Sequence, residues 1–277
     1  MNKTWRRGRS VAAVSAAAMA TVGLAVVAPA AHAASLTPEQ RVVQTLSHLK
    51  IGGPRSLTQV QYLNWSGYAD NNSGGQSYSA VSGSWIEPTV HCTSNTQEQL
   101  AVFWVGLDGL TSSTVEQEGT VGACLNGKTY YFDWWEMYPT NDIQVVASIK
   151  AGDKITSTTD FTNGVYTLSV NDLSRSTASF STQQTCGAGL SCLNSSAEWV
   201  AERPGGYSGN GGLYPMPNFG TWTDAYSSVT ANGVTGTISS FPDEEMTMVN
   251  NQGKVLAQPG PLNAAGTVFR DTWKATE

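Results

Sequence analysis

Gln117 lies in an extended segment, Thr114–Glu118, that follows an apolar run, Leu100–Val105, and a turn punctuated by Gly106 and Gly109. Apolar run, glycine-rich turn and β-branched return read as a hairpin-like pair of strands. Alternation puts Val115, Gln117 and Gly119 on one face and Glu116 and Glu118 on the other. Val115 marks the Gln117 face as inward, so the two glutamates are expected in water. A buried glutamine has two N–H donors and a carbonyl acceptor that need partners. It is either a structural amide held by neighbouring backbone, or a donor working with a carboxylate from elsewhere in the chain.

Two carboxylates fit that second role. In the segment Tyr130–Tyr138, alternation gathers Tyr130, Phe132, Trp134 and Glu136 on one aromatic face, where a carboxyl is partly desolvated and its pKa rises. Glu198, in Ala197–Glu202, shares a face with Val200. The plain alternative for each is a solvated glutamate at a strand edge. Tryptophan and tyrosine near both suit a groove for an extended polymer, peptide or glycan.

Other chemistries lack their residues. Beyond the first 33 positions the only histidines are His48, on a predicted helix, and His91, beside a cysteine in a turn. There is no Gly-x-Ser-x-Gly turn for a serine triad, no HExxH, no P-loop and no zinc-type cysteine spacing. No metal and no cofactor is expected, so carboxylates and amides must carry any reaction.

The elements that would position these groups are strands. Residues 1–33 read as a signal peptide: Lys3, Arg6, Arg7 and Arg9 precede the apolar run Val11–Val27, and Ala31-His32-Ala33 has a cleavage-site form. The Arg6-Arg7 pair leaves a twin-arginine route open. That leader holds four of the 15 basic residues and none of the 21 acidic ones, leaving a balance of about −10. Such a balance argues against nucleic acid or an anionic membrane as partner. Thr37-Pro38-Glu39-Gln40 forms a capping box, and Val42, Val43, Leu46 and Leu49 follow at helical spacing until Gly52-Gly53-Pro54 stops the helix. This amphipathic helix is either an appendage of the main domain or part of a removable pro-segment over 34–60.

From Asn64 onward strands and turns alternate, and the 61–277 region reads as one all-β domain, an antiparallel sandwich. Predicted strands are Tyr78–Ile86, Leu100–Val105, Thr114–Glu118, Thr129–Met137, Gln144–Lys150, Lys154–Asp160 and Val165–Asn171. Further on come Thr177–Gln183, Glu198–Glu202, Gly220–Ala225, Gly236–Ser240, Met246–Val249, Lys254–Ala257 and Thr267–Trp273. Cys92, Cys124, Cys186 and Cys192 read as two disulfides in an exported chain. Of the three pairings, Cys92–Cys124 with Cys186–Cys192 is favoured because each joins residues of nearby predicted strands.

Trp104-Val105-Gly106-Leu107-Asp108-Gly109, then Gln117, then Trp134-Trp135-Glu136-Met137-Tyr138-Pro139, then Ala197-Glu198-Trp199 resemble, in order and with similar gaps, the motifs of the glutamic peptidases, or eqolisins. Asn64–Tyr68 and Ser79–Trp85 are similar to that family's first two strands, and the resemblance runs to Trp273. It implies two large antiparallel sheets in a lectin- or glucanase-like jelly roll, with a groove on the concave sheet. It implies Gln117 and Glu198 as the catalytic dyad of a secreted, monomeric acid endopeptidase acting on protein or peptide. Trp104, Asp108, Trp134 and Glu136 match positions that line or support the site. Glu116, Glu118, a shorter preceding turn and Arg203-Pro204-Gly205-Gly206 depart from the family pattern. Two other classes remain: a glycoside hydrolase using Glu136 and Glu198, and a polymer-binding sandwich without catalysis.

Overall fold

Short β-branched and aromatic runs separated by turn residues leave the backbone one economical solution, a large antiparallel sheet that covers its own apolar face. The computed structural model describes residues 36–277 apart from 48, 50, 56–59 and 208–211. The expected leader and Lys50 lie outside the described residues. One helix, α1 (Pro38–Leu46), comes first. The strands that follow are β1 (Gln61–Tyr62), β2 (Trp65–Asn71), β3 (Tyr78–Ile86), β4 (Gln99–Leu107), β5 (Val115–Leu125) and β6 (Lys128–Tyr138). Then come β7 (Gln144–Ser148), β8 (Lys154–Thr162), β9 (Val165–Asp172), β10 (Phe180–Gln184), β11 (Ser196–Glu202) and β12 (Gly205–Tyr207). The last are β13 (Gly212–Leu213), β14 (Thr221–Ala231), β15 (Val234–Gly236), β16 (Asp243–Val249), β17 (Val255–Pro259) and β18 (Val268–Trp273).

The main strands form one hydrogen-bonded path, β10-β9-β8-β3-β14-β18-β17-β16-β2-β11-β4-β5-β6-β7, folded into two layers. Strand β16 is the fold line: Asp243–Met246 pair with β2, and Met248 and Val249 with β17. The front layer is β16-β2-β11-β4-β5-β6-β7. Between the layers lies a core that includes Phe103, Val105, Trp199, Trp222 and Phe269. A second apolar cluster covers the outer face of the front layer, joining Val42, Leu46, Leu49 and Ile51 to Trp65, Trp104, Trp134 and Val200. The front layer is therefore covered on both sides, and every residue of β4, β5 and β11 is buried.

That double cover corrects one expectation. Glu116 and Glu118 do not face water; they are 1% and 0% exposed. The back layer lies over Glu118, whose carboxyl accepts from Ser157 Oγ at 2.9 Å and Thr159 Oγ1 at 2.6 Å, both on β8. Alternation separates two faces, but which of them is wet depends on what packs there.

Smaller differences have local causes. β5 runs on to Leu125 through Gly119, where a Cβ would sit 2.0 Å from the Phe103 carbonyl oxygen. That glycine lets β4 and β5 approach. The segment Gly236–Ser240 is the end of β15 followed by a 3₁₀ turn, Ile238–Ser240, closed by the Thr237 and Ser240 side chains. α1 carries the Thr37/Gln40 capping box as expected but ends at Leu46. Cys92 pairs with Cys124 and Cys186 with Cys192.

Candidate active site

Strand register builds the site. Glu244, Ala69, Glu198, Gly106, Gln117 and Glu136 are successive cross-strand partners on β16, β2, β11, β4, β5 and β6. Residues in register point to the same face. The side chains of Glu198, Gln117 and Glu136 therefore stand in one row across the outer face of the front layer. Glu198 and Gln117 flank Gly106, two strand spacings or roughly 9–10 Å apart at their Cα atoms. A Cβ at Gly106 would meet Gln117 Cβ and Trp104 Cζ3, each at 3.0 Å. The glycine keeps the middle of the row open.

The neighbouring row is apolar: Met246, Gly67, Val200, Trp104, Gly119 and Trp134. One row further, Glu202 is fully buried. Its Oε2 accepts the indole N–H groups of Trp65 and Trp104, each at 3.0 Å, and its Oε1 accepts from Asn64 at 3.4 Å. Trp65 and Trp104 meet edge to face with ring centroids 5.0 Å apart. Glu202 was not singled out in the sequence, although it follows Glu198 by two strand periods and so shares its face.

Of the expected site residues, Trp104, Gln117, Trp134, Glu136 and Glu198 are brought together on this face. Asp108 is not in the row. It stands just past β4 with φ +66°. Its carboxyl accepts from the N–H groups of Asn194 at 2.8 Å and Ser195 at 2.7 Å. It thereby ties the lead-in of β11, and so Glu198, to the end of β4.

The row is covered by the chain's own amino-terminal segment. Gln117 donates through Nε2 to the carbonyl oxygen of Ile51 at 2.6 Å and to Glu136 Oε2 at 3.3 Å. Ile51, Gln117 and Glu198 are all 0% exposed. Both carboxyl oxygens of Glu198 and Oε1 of Gln117 lack a hydrogen-bond partner among the described residues. Burial drives the Glu198 pKa well above the usual carboxylate range, and the nearby Asp108 and Glu116 carboxyls push the same way. The Ser196 hydroxyl and Leu110 N–H oppose this from nearby, without closing a well-formed bond. Glu202 is raised in the same way by burial, against its three hydrogen bonds and the charge of Arg55.

Because its own chain fills the groove, the site does not present as the largest void. A cleft of about 850 Å³, lined among others by Trp85, Lys154, Leu173 and Tyr226, touches none of these residues. Among the described residues no cluster of metal-ligating side chains occurs.

Fold and site define a two-layered β protein that places an amide and a carboxyl on either side of an open glycine. Among solved structures the chain is similar to scytalido-glutamic peptidase bound to a transition-state analogue inhibitor, with 19% identity, TM-score 0.64, and coverage of 76% of this chain and 98% of that one. It is similar to SCP-B, an eqolisin in complex with the tripeptide Ala-Ile-His, at 20% identity and TM-score 0.63 over 76% and 98% of the two chains. The aspergilloglutamic peptidase of Aspergillus niger aligns at 24% identity and TM-score 0.54, over 64% and 99%. No curated protein sequence matches the chain significantly. The pattern of the peptidase A4 family matches residues 63–265, and the chain belongs to that family. It is a hydrolase of peptide bonds in the glutamic class, which sets aside the glycosidase and binding-module alternatives.

Proposed function

We propose that the protein is a secreted, monomeric acid endopeptidase whose reaction is carried by Gln117 and Glu198, and that residues 34–60 are a pro-segment removed to open the groove. The observation that carries this reading is the 2.6 Å hydrogen bond from Gln117 to a peptide carbonyl lying over the row that also holds Glu198. An amide donor in that place stabilises the oxyanion that forms when water adds to the carbonyl carbon. Glu198, ionised, takes a proton from that water and passes it to the departing amine. Glu136, accepting the other N–H of Gln117, fixes the amide with its donors toward the substrate. Trp104 and Trp134 floor the groove, and Asp108 sets the position of β11.

Covered, the site is off for two reasons. The Ile51 carbonyl occupies the donor, and desolvation keeps a proton on Glu198, leaving no base. Departure of the segment lets water in and returns the carboxyl toward its ordinary range, so that it ionises in acid. Arg55 lies close enough to Glu202 for its charge to offset a small part of the rise that burial imposes on that carboxyl, a charge contact between the segment and the groove. The two disulfides and the leader-like first 33 residues support export.

The reading is tested on secreted protein freed of the covering segment, with denatured protein as substrate at acid pH. Gln117→Ala is expected to fold and to lose roughly 10²–10³ in kcat, the usual cost of one oxyanion donor. Gln117→Glu puts an acceptor-only carboxylate opposite Glu198 once ionised and is expected to be inactive except in strong acid. Wild-type rates from a folded Gln117→Ala protein would overturn the assignment. Amino-terminal sequencing of active secreted protein checks the pro-segment: a sole start at Ala34 or Ser35 would sink it.

A further inference from the structure

The covering segment leads away from Gln117 toward a cavity that the reaction itself does not use. The Ile51 carbonyl takes the Gln117 donor, and two residues later the Gly53 carbonyl accepts from Asn64 Nδ2 at 3.3 Å. Two residues further, the Arg55 N–H donates to Asn64 Oδ1 at 2.6 Å. One buried amide thus holds the backbone of the second and fourth residues past the polarised carbonyl and fixes their path. That path ends at a cavity of about 300 Å³, lined among others by Arg55, Leu63, Arg203, Leu213 and Gln252. Arg203 follows directly on β11 and is fixed twice: its N–H donates to the Asn64 carbonyl at 3.0 Å, and its Nε to the Tyr214 carbonyl at 3.1 Å. It is 8% exposed, yet no carboxylate among the described residues forms an ion pair with it. Burial lowers its pKa, the Glu277 charge opposes this from beyond ion-pair range, and the Arg55 charge adds to the lowering. A charge taken out of water is costly until an opposite charge meets it. Two cations therefore converge on one cavity in a chain whose formal net charge is −6.

We propose that the Arg203 cavity is an anion subsite, which takes a carboxylate carried by the substrate at the fourth residue past the cut bond. Arg203 is then a specificity-determining residue. Its Nε is taken by Tyr214, which leaves the two Nη groups to hold a carboxylate end-on through parallel N–H bonds. The inference rests on Gln117 and Glu198 being the reacting pair and on the substrate following the path of the covering segment. In the full chain the fourth place holds Arg55, a cation set against a cation. Glu202, the residue before Arg203, is in charge contact with Arg55. The other charged groups close by are Glu277 and Lys254, whose Nζ donates to the Glu277 backbone carbonyl at 2.7 Å. A segment that carries the wrong charge here is suited to leave, and a substrate that carries the right one is suited to replace it. The carboxylate is an Asp or Glu side chain, or the α-carboxylate of a peptide that ends there, since both present the same two oxygens.

The experiment incubates secreted protein, freed of the covering segment, with a denatured protein mixture at about pH 5 and maps the new termini by mass spectrometry. Asp and Glu are expected to be enriched at the fourth position past the cut. Synthetic peptides built on one mapped site, with Glu, Gln or Lys at that position, give the size of the effect. kcat/KM is expected to be roughly tenfold higher for Glu than for Gln, the scale of a charge-assisted hydrogen bond, and lower again for Lys. At about pH 3, below the ordinary glutamate pKa of about 4.3, the Glu and Gln peptides are expected to converge. Arg203→Met, which keeps the aliphatic stem, is expected to bring the Glu-to-Gln ratio near one, and Arg203→Lys to retain part of it. A peptide ending at the fourth residue, made as free acid and as amide, separates the two sources. Preference for the free acid alone assigns the subsite to a chain end, and preference for the Glu side chain assigns it to acidic stretches. Equal rates for Glu, Gln and Lys, and for acid and amide, overturn this inference alone if Glu198→Gln is inactive. A Glu preference unchanged in Arg203→Met does the same. Digestion that survives Glu198→Gln, or none by wild type, overturns the underlying assignment and this inference with it.

Discussion

The two faces of β5 hold buried acidic or amide side chains one residue apart, yet they are finished in opposite ways. On the inner face Glu118 lies between the layers with both carboxyl oxygens taken by the Ser157 and Thr159 hydroxyls. On the outer face Gln117 gives its N–H groups to Glu136 and Ile51, and Glu198, two strands away, has both oxygens unpaired at 0% exposure. A buried polar group left unpaired costs about 1–3 kcal/mol. Unpaired oxygens alone do not mark a reacting carboxyl, since Asp70 and Asp271 also have both oxygens unpaired among the described residues. What sets Glu198 apart is its place in one row with Gln117 across Gly106.

The sharpest way to break that comparison is to make the same substitution on both faces. Glu198→Gln removes the proposed general base and is expected to cost roughly 10²–10⁴ in kcat, with no loss of folding stability in acid. Glu118→Gln should keep kcat unchanged and lower stability by about 1 kcal/mol, the scale of a neutral buried hydrogen bond. Denaturant titration beside a peptidase assay separates the two. Equal activity losses would remove the distinction between the faces.

A second effect is global. Burial raises Glu116 and Asp70 to about 9, and Glu87 and Glu118 to about 8. In the unfolded chain such groups ionise near 4. Between about pH 4 and 8–9 the fold therefore holds protons that the unfolded chain has released, and stability falls as pH rises. Each such proton tilts stability by about 1.4 kcal/mol per pH unit. Asp153, lowered beside Arg175, works the other way, but it is one group against several. Thermal melts are expected to show highest Tm in acid and a steady fall toward neutral pH. A Tm that rose from pH 4 to 8 would contradict this.

The smallest effect concerns the groove floor. Glu202→Gln leaves one oxygen for the Trp65 and Trp104 N–H groups and sets an amide N–H against Asn64. It is expected to cost about 1–3 kcal/mol, to shift tryptophan fluorescence, and to raise KM more than it lowers kcat. Unchanged fluorescence and KM would show that the floor does not depend on this carboxyl.

Local pattern was enough for some of this protein. The capping box over Thr37 and Gln40, the strand Tyr78–Ile86 with its exact bounds, the aromatic face of Glu136 and the shared face of Glu198 and Val200 all follow from residue type and a period of two or 3.6. Motif order carried the family: the strings from Trp104–Gly109 to Ala197–Trp199 stand out in a chain whose overall identity to the similar solved structures is near 20%. Register was decided in three dimensions: nothing local places Glu198 two strands from Gln117 across Gly106, or says that β16 changes layers midway. Burial was decided there too. Alternation assigns Glu116 and Glu118 to one face, but only the back layer, with Ser157 and Thr159 on β8, makes that face dry. The amino-terminal segment shows the same limit most plainly. Its sequence yields a helix and a glycine stop, while the place of Ile51 over Gln117 arises from packing between residues 66 positions apart, a contact that no local periodicity encodes.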